Sequence, residues 1–265
     1  MFGTIRKETD SRWYIAAISG LVLAAWGVLA WWGASPFAGL LDHGQIGQWN
    51  LPFVTTLLIF VLGWTLMTIA MMLPGSMPLI HLFQRMVQRR ENGRQLVTLM
   101  ILGYLVVWVL FGWFAYLGDT LLHEVVERSL FLSRNEGYIA AGLLLVAGIY
   151  QFTPLKEMCL TECRSPYTFL NAHWRGQTPK KEAFRLGMGH GWFCMGCCWT
   201  LMLLMFAFGG VNLGWMLLLG VVMAVEKSGR WGRYLTRPLG LVLIAWAILY
   251  LAGYLSFSIP LLYFK

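Results

Sequence analysis

Apolar residues in this chain gather into long continuous runs, at 13–33, 52–73, 96–117, 138–155, 187–209, 212–226 and 235–258, with shorter polar segments between them. A helix needs roughly 20 apolar residues to cross about 30 Å of hydrocarbon. Within lipid such a helix satisfies its own backbone hydrogen bonds. The pattern therefore predicts an all-α, polytopic transmembrane bundle of about seven helices, with residues 1–265 as a single integral membrane domain. The sixth run is the shortest, about 15 residues, and it follows its neighbour through Gly209-Gly210-Val211-Asn212.

Composition sharpens this reading. Hydrophobic residues make up 58% and charged residues 12% of the chain, a balance that leaves too little polar surface for a water-soluble domain. The first run ends in Ala30-Trp31-Trp32-Gly33, which lacks a small-residue cleavage site and so reads as an anchor, not a signal peptide.

Charge supplies an orientation. Basic residues stay on the cytoplasmic side of a bacterial inner membrane. Seven crossings from a cytoplasmic N-terminus put the basic clusters around Arg6, Arg89, Lys180 and Arg230 inside. Of the 20 lysines and arginines, only Arg128, Arg134 and Lys265 are left outside. The net charge of +8 is explained by this rule, and no nucleic-acid surface is needed to account for it.

Two local features interrupt the runs. Trp64-Thr65-Leu66-Met67 recurs as Trp199-Thr200-Leu201-Met202 in a run of opposite direction, the arrangement of an inverted repeat. The second run ends in Met71-Met72-Leu73-Pro74-Gly75-Ser76-Met77-Pro78, and a helix broken at that depth lines a cavity or a site. Thr153-Pro154 and Ser165-Pro166 bracket a short surface helix.

The chemistry-bearing residues map to the same cytoplasmic half. Cys159 and Cys163 follow the fourth run, and Cys194, Cys197 and Cys198 lie within the fifth. Thiols facing the cytosol stay reduced. At about 100° per residue, His190, Cys194, Cys197 and Cys198 share one helix stripe, beside glycines at 187, 189, 191 and 196 that admit another helix or a ligand. Cysteines packed as small apolar residues between helices are the alternative account, and three of them with a histidine on one face favour metal binding or thiol redox chemistry over it. Met67, Met71, Met72 and Met77, with His81, approach the same surface, and Glu226-Lys227 closes the sixth run as a ligand, a proton relay or an interfacial anchor. Asp42, His43, Asp119, His123 and Glu124 lie on the outer side. Thiolate, imidazole and thioether donors favour Cu(I), with zinc or iron behind it, and disfavour Mg²⁺ or Ca²⁺. A non-covalent haem on His190 stays open.

The segments Trp64 to Pro74, Gln151 to Lys156 with Cys159, Cys163 and Pro166, Gly196-Cys197-Cys198-Trp199 and Glu226-Lys227 resemble a bacterial family of uncharacterised integral membrane proteins called predicted metal-binding. The resemblance spans roughly residues 55–255. It implies metal ligands among Cys159, Cys163, His190, Cys194, Cys197, Cys198 and Glu226.

Taken together, the residues point to a membrane metal-handling protein for transport, delivery or cofactor assembly, with the lipid bilayer and a metal-delivery or membrane-complex protein as partners. An intramembrane thiol-disulfide oxidoreductase and a metal-free assembly subunit are the alternatives. Nothing resembles a nucleotide-binding loop, a Ser-His-Asp arrangement or a c-type haem attachment site.

Overall fold

A computed structural model of the chain describes residues 2–35, 52–129, 137–207, 212–228 and 232–253. Asp42, His43, Arg134 and the Gly209-Gly210-Val211 link lie outside the described residues. Within them the chain forms helices α1 (Phe2–Gly33), α2 (Phe53–Met71), α3 (Leu73–Val87), α4 (Gly93–Arg128), α5 (Gly137–Tyr150), α6 (Pro154–Arg164), α7 (Pro166–His173), α8 (Pro179–Ala207), α9 (Leu213–Ser228) and α10 (Gly232–Leu251). No strand occurs among the described residues.

Among the described residues, five helices are long and apolar enough to cross a membrane: α1, α2, α4, α8 and α10. The pair α5 and α6, bent by 65° at its break, raises the number to six. The sixth expected run, 212–226, falls on α9, whose 16 residues span only about 24 Å at 1.5 Å per residue. Only 17% of the apolar windows of α1 and α10 is buried within the protein, so most of their apolar surface faces outward. Leu23, Trp31, Leu241 and Val242 are among these exposed side chains, a distribution suited to lipid and costly in water.

The directions of packed helices follow from their contacts. Trp64 of α2 donates its indole N–H to Trp108 O of α4 at 2.9 Å, and Phe60 meets Tyr116 with ring centroids 5.1 Å apart, so α2 and α4 are antiparallel. Gly187 and Gly191 of α8 abut Met100 and Tyr104 of α4, so those two helices run parallel. Gly137 meets Tyr250 and Gly148 meets Ile244, making α5 and α10 antiparallel. Met71 lies on Gly220, and Lys227 passes Gly75, making the α2–α3 segment and α9 parallel. Each relation is the one that alternating crossings require.

The α4–α8 contact is the most extensive in the molecule, and glycine is the reason. A Cβ on Gly187 would run into the Met100 carbonyl, and one on Gly103 into the Phe184 carbonyl. The two backbones therefore touch without side chains between them, as small residues allow in membrane helices.

The expected breaks are present. Helix α2 ends at Met71 and α3 begins at Leu73 with Pro74 in its first turn, leaving Met72 as the joint. Proline fits at that position because its missing N–H would have had no helical partner. The chain continues as helix through Pro78 instead of ending there. Thr153 caps α6, its hydroxyl accepting from the Lys156 N–H at 3.3 Å. The two copies of the Trp-Thr-Leu-Met sequence have unlike surroundings: Trp64 is fully buried against α4, whereas Trp199 is half-buried, edge-on to Tyr150 of α5.

Candidate metal centre

Four helix segments meet at the point where α2 gives way to α3. The joint contributes Met72, α8 contributes Cys194 and Cys198 one turn apart, α9 contributes Lys227 from its last turn, and α4 contributes Tyr104. The spacing of four residues on α8 stacks the two cysteines on one face. Gly75 of α3 makes room for the lysine stem, since a Cβ there would stand 3.1 Å from Lys227 Cδ.

At the centre of the group is the Lys227 ammonium. It donates to Cys194 Sγ at 2.9 Å and stands 3.5 Å from Met72 Sδ and 3.7 Å from Cys198 Sγ. Cys198 Sγ lies 3.6 Å from Met72 Sδ, and Tyr104 Oη lies 3.1 Å from Cys194 Sγ. Met72 is 0%, Cys194 1%, Cys198 1% and Lys227 6% exposed, so three soft sulfur donors and a cation are closed off from the surroundings.

A second thiol pair adjoins the first. Cys163 Sγ of α6 lies 4.0 Å from Cys197 Sγ. Cys159 packs its sulfur onto α8 at Gly196, where a Cβ would meet it at 2.6 Å. Cys197 and Cys198 both reach back to the Cys194 carbonyl, at 3.1 and 2.8 Å. All five cysteines are free and buried.

A buried ion pair braces the end of α9. Lys156 donates to both carboxylate oxygens of Glu226, at 3.1 and 2.9 Å, and both side chains are closed to solvent. Arg164 adds a bond from Nε to the Glu226 carbonyl at 2.7 Å, joining α6 to α9. Glu226 therefore pairs with Lys156 of α6, a residue 70 positions away in the sequence.

The other expected site residues divide. His190 lies one turn before Cys194, but its Nε2 meets Ser76 Oγ at 3.1 Å and its ring stacks on Tyr104, 5.7 Å between centroids. Met71 packs onto Gly220. Met67 is in the core, and Met77 lies at its edge. His81 is half-buried further along α3; burial and the nearby Arg85 guanidinium hold its imidazole below the usual histidine range. Glu124 forms an exposed ion pair with Arg128. Lys156, Tyr104, Ser76, Arg164 and the central role of Lys227 escape the sequence reading. The available signal was a charged residue at the edge of an apolar run, at Lys156 and Lys227.

Among the described residues, no three His, Cys, Asp or Glu side chains form a ready ligand set. The grouping present is two thiols and a thioether. It lacks the four nitrogen or thiolate donors of a structural zinc site and the oxygen donors of Mg²⁺ or Ca²⁺. Soft sulfur donors in small number suit Cu(I).

A family model, PpoB2, described as a copper chaperone, matches residues 61–250. No curated protein and no solved structure matches the chain.

Proposed function

The chain belongs to the PpoB2 copper chaperone family, and from that membership and the sulfur core we propose that it holds Cu(I) as cargo within the bacterial inner membrane and passes it to a partner. The observation that carries the proposal is the convergence of Cys194 Sγ, Cys198 Sγ and Met72 Sδ on one buried point. Its N-terminus and the broken end of α2 face the cytoplasm. That orientation rests on the distribution of basic residues.

The residues divide the work. Cys194 and Cys198 bind the ion as thiolates, releasing two protons, and Met72 adds a neutral donor that exchanges readily. Tyr104 orients Cys194 through its hydroxyl. The closed environment excludes water and oxidants from Cu(I), an ion that otherwise oxidises or disproportionates in water. The Cys163–Cys197 pair, on the side of α6, is the next place for the ion to rest as it enters or leaves. Transfer proceeds by ligand exchange, one sulfur at a time.

X-ray absorption at the copper edge of anaerobically loaded protein tests this. A first shell of sulfur alone, lost in Cys194→Ser/Cys198→Ser, is expected; a shell of nitrogen and oxygen overturns it. A thiol oxidoreductase is favoured by one observation, the 4.0 Å separation of Cys163 and Cys197, which a modest movement would close to a disulfide at about 2.05 Å. That reading requires a reversible disulfide in metal-free protein, detectable by differential alkylation.

A further inference from the structure

The sulfur core already contains a cation. We infer that Lys227 is a specificity-determining residue whose fixed positive charge makes the site select a monovalent soft ion, Cu(I) or Ag(I), over a divalent one such as Zn²⁺. The inference rests on the Cu(I) reading of this site and adds the reason for its choice of ion.

Charge counting in a low-dielectric interior gives the argument. The charged groups facing the core come from α6 and α9. Lys156 and Glu226 form a closed pair and cancel. Arg164 reaches the Glu226 carbonyl from a half-buried position. His190 stands against a hydroxyl and two aromatic rings. Among the described residues, the charge left inside is Lys227, within 3.7 Å of all three sulfurs.

Two thiolates with one Cu(I) carry a net charge of about −1, which the ammonium brings to zero. The same thiolates with Zn²⁺ are already neutral, so the ammonium leaves an uncompensated positive charge buried among apolar helices. An unpaired buried charge costs several kcal/mol, and a difference of 1.4 kcal/mol is already tenfold in affinity. Two features show that the ammonium is held in place. Gly75 leaves room for its stem, and its hydrogen-bond partners among the described residues are the sulfurs themselves.

The experiment uses the full chain purified in detergent under anaerobic conditions. Cu(I) affinity is measured by competition with a colorimetric chelator, and Zn²⁺ affinity with a zinc indicator, in wild type, Lys227→Leu and Lys227→Arg. Removing the charge is expected to weaken Cu(I) by about tenfold or more and to strengthen Zn²⁺ by a similar factor. Arginine, which keeps the charge, retains the wild-type preference. Lys227→Gln, which keeps a donor and loses the charge, carries the same expectation if the leucine variant does not fold. A Cu(I)-to-Zn²⁺ affinity ratio unchanged within about threefold in the charge-free variant overturns the inference while the copper reading stands. Wild type that binds no Cu(I), or binds it equally after Cys194→Ser/Cys198→Ser, overturns the copper reading itself.

Discussion

Lys156 is 0% exposed and Glu226 1%, and the ammonium bonds both carboxylate oxygens. Breaking such a pair strands a charge, at a cost of about 3–5 kcal/mol, whereas replacing both members with apolar residues of similar volume is close to neutral. Lys156→Leu is therefore expected to lower the thermal midpoint sharply in detergent, and Lys156→Leu/Glu226→Leu to recover most of the loss. A double variant as unstable as the single one would mean that the pair does more than cancel its own charge. At this scale the sequence was only partly legible. The cysteine stripe on α8 follows from spacing alone, because 100° per residue fixes its geometry. The partners of Lys156 and Lys227 did not follow, since they lie 70 and 33 residues away and depend on where α6 and α9 come to rest. His190 shows the limit of a stripe argument: it shares the face with Cys194, yet Tyr104 and Ser76 of neighbouring helices take up its ring and nitrogen.

Among the elements, the parallel contact of α4 and α8 positions the centre, because it sets Tyr104 beside Cys194. Gly187 and Gly189 offer a matched comparison on one helix. A methyl group at 187 collides with the Met100 backbone carbonyl, which cannot move aside, while one at 189 finds only Phe169 Cζ at an ordinary 3.5 Å. Gly187→Ala should cost about 1–3 kcal/mol through overpacking and weaken Cu(I) binding by drawing Tyr104 from Cys194. Gly189→Ala should do neither. Thermal unfolding and Cu(I) titration of the two variants decide; equal behaviour would remove the α4–α8 contact from the account. The glycine cluster, the prolines at 74 and 154 and the short helix after Thr153 were all readable from sequence because each has a local cause. The continuation of helix through Pro78 was not, since the first turns of α3 are stabilised by packing against other helices.

For the whole molecule, the apolar runs announced a membrane bundle, and the long helices with outward-facing leucines agree. The parallel and antiparallel packing agrees as well with alternating crossings, even at α9, whose 16 residues are short for one. What hydropathy could not announce is that the α2–α3 joint, the end of α9 and the helix after the α5–α6 bend converge on the cysteine stripe of the unbroken helix α8, so that broken and continuous helices build the site together.

The central claim is that this enclosed sulfur core carries copper. Its most direct test is elemental analysis of the purified full chain after anaerobic loading with Cu(I) and removal of excess, beside Cys194→Ser/Cys198→Ser. The account predicts about one copper per chain held tightly in wild type, and loss of that copper in the variant with the helical spectrum unchanged. Wild type free of copper, or a serine variant that keeps its full complement, would contradict it.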